Sequence, residues 1–289
     1  MISSSRRVGV LGAAVLLGGA AAGVAVRALA ADEPKVPNPA RVAAVRHLMA
    51  GVNAPRCGAM GELLKDKGPA DDKAWAELAL HAALLNECGH VLMENGRCPD
   101  NVWAEAAAAL RKGSAAVFEA AGRKDLKAAQ DSFKEVTASC AACHAKHKGK
   151  PAAAGTVAAA PKPPSAGDAA AGAPPGPRLA SVRHLMAGIN APNCGSLSEA
   201  LKNDGPKDDK AWQEVVRFAA LLNEAGFLLM ENKRCPDDVW KNAATDLREH
   251  AAKVVEAGGA KNLVNARNGF KGLTAACAAC HQVHKKPAS

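Results

Sequence analysis

The sequence predicts an all-α protein: two tandem antiparallel four-helix bundles joined by an Ala/Pro/Gly-rich linker. Three observations carry that expectation. First, the chain from Arg41 onward repeats itself from Arg178 onward at a constant offset of 137 residues, without a gap. Arg46-His47-Leu48-Met49 returns as Arg183-His184-Leu185-Met186, Asp71-Asp72-Lys73-Ala74-Trp75 as Asp208-Asp209-Lys210-Ala211-Trp212, and Arg97-Cys98-Pro99-Asp100 as Arg234-Cys235-Pro236-Asp237. A repeat of this length is a duplicated domain, and each copy is long enough to bury its own core. Second, Tyr is absent, Phe and Trp number 5 and 4, and alanine is abundant, which favours helix over strand. Third, four stretches in each copy place apolar residues at helical spacing.

In order along the chain, residues 1–31 read as a targeting segment. Arg6 and Arg7 lead into an uncharged apolar run from Val8 to Val26, and Ala28-Leu29-Ala30 offers a small-residue cleavage site. Ser5-Arg6-Arg7 is superficially like a twin-arginine signal, but the general secretory route suits this chain better. The run also approaches the length needed to cross a bilayer at ~1.5 Å per residue, so an uncleaved membrane anchor is the alternative. The first copy spans 39–148 and the second 178–286. Between them, 149–177 is almost entirely Ala, Pro and Gly, too poor in apolar bulk to bury a core, and reads as a semi-stiff linker.

Within a copy, Val42, Val45, Met49 and Val52 mark the first helix, interrupted near Asn53-Ala54-Pro55 with a continuation through Leu63 and Leu64. Asp71 or Asp72 caps the second, whose stripe is Trp75, Leu78, Ala82, Leu85, Gly89 and Leu92. Asp100 caps the third, with Trp103, Ala107, Leu110 and Val117. Asp125 starts the fourth, where Leu126, Ala129, Phe133, Val136 and Cys140 lead into Cys140-Ala141-Ala142-Cys143-His144. Apolar spacing near 3.5 and short connections argue for antiparallel packing.

That last pentapeptide recurs as Cys277-Ala278-Ala279-Cys280-His281. Two thiols three apart, followed at once by histidine, form the pattern that attaches a c-type haem, with thioethers from the cysteines and an iron bond from the imidazole. On a helix these positions share one face. A zinc site would want a further close Cys or His pair, and a thioredoxin-like pair would open a helix in a βαβ pattern. The expectation is two covalently bound haem c groups with His144 and His281 as proximal iron ligands.

A four-helix unit of this size with Cys-x-x-Cys-His near its C-terminus resembles the cytochrome c′ family and its low-spin, methionine-ligated relatives. The similarity covers both copies and leaves out the leader and linker. It implies that the first helix supplies an Arg near the haem propionates and then a residue facing the open side of the iron. The matching pairs are Arg46 with Met49 and Arg183 with Met186, three apart here where the family typically has four. It also implies pairing of bundles through helices, here within one chain.

The distal side stays open at this stage. Met49 and Met186 lie on the inner stripe, where a thioether gives low-spin iron suited to electron transfer, although methionine on such a stripe is more often core filling. His47 and His184 sit about 200° around the helix from the methionine, which places them near the surface. The third option is an iron open to small gases. His147 and His284, three residues beyond the proximal ligands, face the haem edge or simply favour the helix end.

Of the five remaining cysteines, Cys57 with Cys98 and Cys194 with Cys235 are equivalent pairs, and an oxidising compartment makes one disulfide per copy the expectation. Cys88 faces Ala225 in the other copy and reads as a buried free thiol.

The formal charge of +9 is diffuse. Residues 41–150 hold 16 Lys and Arg against 13 Asp and Glu, and 178–289 hold 16 against 12, with no basic run. Nucleic-acid binding is excluded as a reading, while a mildly basic surface can steer acidic redox partners. No nucleophile with its base and no paired carboxylates stand out. The sequence therefore describes an exported, periplasmic one-electron carrier for periplasmic or membrane redox proteins, not an enzyme. A gas-binding cytochrome with open distal faces is the alternative, and a peroxidase-like dihaem enzyme, with Arg46 and His47 over the iron, a more distant one.

Overall fold

Every regular element of the computed structural model, which describes residues 40–148 and 176–285, is a helix. The expected targeting segment and nearly all of the expected linker lie outside the described residues. Among the described residues, no helix is long and apolar enough to cross a membrane.

The first helix passes through its proline. α1 (Val45–Leu48) opens into a π turn over Met49–Asn53 and continues as α2 (Ala54–Leu63). Pro55 has no N–H, and its ring would press on the Gly51 carbonyl four residues back. The wider turn, in which the Ala54 N–H donates to the Met49 carbonyl, shifts the hydrogen-bond ladder just before that ring. The expected interruption is therefore a widening. The second copy does the same ahead of Pro192, with α6 (Val182–Leu185), a π turn over Met186–Asn190 and α7 (Ala191–Ala200).

The longer helices begin where their caps place them. Asp71 Oδ1 accepts from the Ala74 N–H at 2.8 Å to start α3 (Asp72–Val91), and Asp100 Oδ1 from the Trp103 N–H at 3.0 Å to start α4 (Asn101–Arg123). Lys124, in the left-handed region at φ 55°, turns the chain, and Asp125 caps α5 (Leu126–His147). Asp208, Asp237 and Asn262 repeat these roles for α8 (Asp209–Leu228), α9 (Asp238–Gly259) and α10 (Leu263–His284). In each copy the second half of the π-turn helix packs on the next helix, which runs against the third, and the third against the fourth.

Both copies belong to one compact unit. α1 and its π turn lie on α8, and α6 and its π turn lie on α3. This explains why Ala82–Val91 and most of its counterpart in α8 are buried on every side rather than along one stripe. A Cβ on Gly51 would overlap the Leu221 side chain, and one on Gly188 would overlap Leu84, so each glycine is the hollow that seats a leucine of the other copy.

Charge is buried here as well. Glu224 takes Arg41 Nη1 at 2.8 Å and Arg97 Nη2 at 2.8 Å; Glu87 takes Arg178 and, at 2.9 Å, Arg234 Nη2. Glu94 and Glu231 complete the set by pairing with both Arg41 and Arg178. With Glu87 and Glu224 almost fully buried, each carboxylate requires its arginines, since an unpaired charge in this interior costs several kcal/mol, on the order of 3–5.

Candidate functional site

Each copy has an apolar cavity, partly open to solvent, at the end that carries its Cys-x-x-Cys-His. The first, about 270 Å³, is bounded by Met49, Asn53 and Cys57 of the π-turn helix, by Leu92, Trp103 and Leu110, and by Cys140, Cys143 and His144 of α5. The second, about 480 Å³, is bounded by the equivalents Met186, Asn190, Cys194, Leu229, Trp240 and Leu247, and by Cys277, Cys280 and His281 of α10. Arg183 and Lys285 also line the second cavity, whereas Arg46 is exposed and does not line the first.

The π turn produces this arrangement. Met49, Asn53 and Cys57 fall four apart and share the cavity wall, while Leu48 and Val52 turn to the other copy and pack near Leu221 and Leu228. From the facing side, α5 presents Cys140 and Cys143 half-buried and His144 exposed. Trp103 fixes the floor: its Nε1 donates to the Leu92 carbonyl at 2.8 Å, as Trp240 does to Leu229.

His147 and His284 do not line the cavities. His147 stands edge-on to Trp103, with ring centroids 5.4 Å apart, and its Nε2 lies 3.4 Å from Asp100 Oδ1; His284 repeats this with Trp240 and Asp237. Their rings pack the end of the motif helix against the tryptophan near the start of the helix before it.

His47, expected near the surface, is buried against the other copy. Its Nδ1 accepts from the Ala44 N–H at 3.3 Å, and burial, then Arg46 and Arg217, lower its pKa to about 4. His184 stands edge-on to Phe118 of the first copy. Neither histidine lines a cavity. A helical wheel drawn for one copy takes this face for surface because the face is covered by the second copy.

All nine cysteines lie among the described residues and no two are bonded to each other, so the expected Cys57–Cys98 and Cys194–Cys235 disulfides are not seen. The reason is positional. Cys98 and Cys235 bond the Asp100 and Asp237 carbonyls at 3.5 Å, while Cys57 faces into the cavity that Cys140 also lines. The two thiols shift in opposite directions: Cys140 and then burial raise Cys57, while Cys57 lowers Cys140 against its own burial. In the second cavity burial dominates, raising Cys194 and pushing Cys277 up to about 11, with Cys194 the next influence on Cys277. Burial likewise raises Cys143 and Cys280. Cys88 is buried, as its pairing with alanine in the other copy suggests.

Among the described residues no group of three or more His, Cys, Asp or Glu converges to hold a bare metal ion. The donor set instead suits a flat macrocycle. Two thiols and one imidazole lie on one wall, a thioether on another, with apolar surface between them. The Oδ1 atoms of Asn53 and Asn190 are buried in the cavity walls with no hydrogen-bond partner among the described residues. Sequence reasoning singled out Met49, Met186 and the two motifs, but not Asn53, Asn190, or the place of Cys57 and Cys194 in the cavities. Their spacing of four and eight from Met49, repeated in both copies, is the signal that carries them. No protein-family model, curated protein or solved structure matches the chain.

Proposed function

We propose that the chain is an exported dihaem c-type cytochrome that transfers single electrons, built as two tandem four-helix bundles of the cytochrome c′ kind. One observation carries this reading: Met49 shares a cavity with Cys140, Cys143 and His144, and Met186 shares the equivalent cavity with Cys277, Cys280 and His281. Haem c, when bound, supplies a one-electron iron couple. The protein's part falls to named residues. Cys140, Cys143, Cys277 and Cys280 provide the thioether sulfurs, His144 and His281 the proximal nitrogens, and Met49 and Met186 the distal sulfurs. Leu92, Trp103 and Leu110, with their equivalents, line the cavities with apolar surface, which would favour the less charged state of the site. Arg183 and Lys285 are the candidate propionate partners in the second cavity; in the first, Arg46 holds that place by resemblance to the family alone.

Export rests on the Arg6-Arg7 leader and apolar run, together with the need to attach c-type haem outside the bacterial cytoplasm. Periplasmic or membrane redox proteins are the partners that follow. A gas-binding cytochrome is the second reading, favoured by the unpartnered Asn53 and Asn190 amides, which would face a ligand on an open iron. A peroxidase-like enzyme has less support, because neither Arg46 nor His47 lines the first cavity.

Optical spectra of the ferric and ferrous protein, with and without carbon monoxide, test the reading. Low-spin spectra unmoved by carbon monoxide support the carrier, and prompt binding at both sites without displacement of a protein ligand overturns it in favour of gas binding. In the Met49→Ala, Met186→Ala protein, an unchanged spectrum would show that neither sulfur binds iron.

A further inference from the structure

Each cavity holds a third thiol that haem attachment does not use. Cys57 and Cys194 occupy equivalent positions on the π-turn helices, half-buried in the cavity wall. Cys57 lines one cavity with Cys140, the first cysteine of its motif, and Cys194 lines the other with Cys277, each close enough to act on its neighbour's charge. Two thiols that line one cavity form a disulfide where rotation of their side chains brings the sulfurs to about 2.05 Å. Cys98 and Cys235 point elsewhere, to the carbonyls of Asp100 and Asp237.

We propose that in the haem-free chain Cys57 with Cys140, and Cys194 with Cys277, are thiol–disulfide pairs that control whether the first cysteine of each motif is free. The bond itself depends only on the cavity geometry; its consequence rests on the haem reading above. The oxidant is a disulfide compound, such as glutathione disulfide. The thiolate of Cys140 attacks one of its sulfurs, forming a mixed disulfide and releasing a thiolate. The Cys57 thiolate then attacks the Cys140 sulfur and releases the second. Two protein thiols lose two electrons and two protons, and one oxidant disulfide becomes two thiols. A dithiol reductant reverses the exchange. Thioether formation is redox-neutral addition of S–H across a vinyl C=C bond, so a cysteine held in a disulfide cannot take part.

The test uses full-length haem-free protein equilibrated in glutathione buffers, quenched by alkylation and mapped by mass spectrometry of non-reduced peptides. The expected map shows Cys57–Cys140 and Cys194–Cys277 links in roughly tenfold excess over Cys140–Cys143 and Cys277–Cys280 links, an excess corresponding to about 30 mV for a two-electron couple. A map dominated by links within the motifs, or by Cys57–Cys98 and Cys194–Cys235, overturns the proposal. In a second arm, ferrous haem is added to the reduced and the oxidised chain, and covalent haem is read on a denaturing gel. Attachment to the reduced chain alone, restored to the oxidised chain by dithiothreitol, is the expected result, and equal attachment to both overturns the control. If even the reduced chain takes no covalent haem, the haem reading and the control built on it fail together, while the peptide map still decides the pairing. Cys57→Ser, Cys194→Ser protein that keeps its helical circular dichroism should lose both links.

Discussion

Replacing Gly188 by alanine places a methyl inside the Leu84 side chain, since the three atoms nearest such a Cβ all belong to Leu84. Leu84 is fully buried, with only a small gap beside it that Val52 and Ile189 also line. Overpacking of this kind costs about 1–3 kcal/mol, offset by up to about 1 kcal/mol of better helix propensity, so Gly188→Ala should destabilise by about 1–2 kcal/mol. Leu84→Ala alone should cost about 2–5 kcal/mol, because it leaves a cavity between the copies. In the double variant the new methyl enters part of that cavity. The two costs should then fall short of their sum by about 1–2 kcal/mol. Gly51 with Leu221 supplies a second, independent cycle in the same molecule, since a Cβ at Gly51 meets Leu221 in the same way. Urea unfolding of all variants at one cofactor content gives the four free energies of each cycle from midpoints and slopes. Coupling below about 0.5 kcal/mol in both cycles would refute the claim that these glycines seat the opposing leucines.

Glu87→Gln or Glu224→Gln leaves two arginines facing a neutral amide in a buried site and should cost about 3–5 kcal/mol, against about 0–1 kcal/mol for Glu62→Gln on the surface; thermal melts compare them directly. His90 is buried beside Arg178, Arg111 and Glu87, and burial first, then the two arginines, lowers its pKa from 6.5 to about 4. Between those values the unfolded chain holds the extra proton, so the contribution of His90 is intact above about pH 6.5 and is lost as pH falls through about 4, a total near 3 kcal/mol. His90→Phe, which copies Phe227 of the second repeat, should flatten that acid limb, and urea midpoints that keep the wild-type pH slope would exclude the assignment.

The duplication, the helices, their aspartate caps and the two Cys-x-x-Cys-His motifs were legible because each is a local pattern: a fixed offset, a helical spacing, an oxygen three residues before an N–H. What was not legible depends on the second copy or on backbone detail. Pro55 reads as a break because a proline ring excludes the ordinary α-helical ladder, yet one wider turn admits it. His47 reads as surface because the wheel of one copy knows nothing of Arg217 on the other. Cys57 was matched with Cys98 by count and compartment, and neither criterion says which way a side chain faces.

The π turn also accounts for how one short helix serves two interiors. The sequence places Met49 and Val52 on a single apolar stripe, which in an unbroken helix would face a single core. In the structure the stripe divides. Leu48 and Val52, with Gly51 between the copies, face α8, while Met49, Asn53 and Cys57 face the cavity. The widened turn begins at Met49 and ends at Asn53, so the residue that would face the iron and the unpartnered amide both belong to it. The same five positions, Met186–Asn190, recur ahead of Pro192. Each proline thus bears on the cavity from outside its wall, because the turn that accommodates it is the turn that carries the methionine. Pro55→Ala should relax the need for that turn, and on the proposed reading, in which Met49 binds iron, a change in the optical spectrum with little loss of helical circular dichroism is the expected outcome. An unaltered spectrum, in a protein whose spectrum Met49→Ala does change, would mean that packing against α8, rather than the proline, holds the methionine in place.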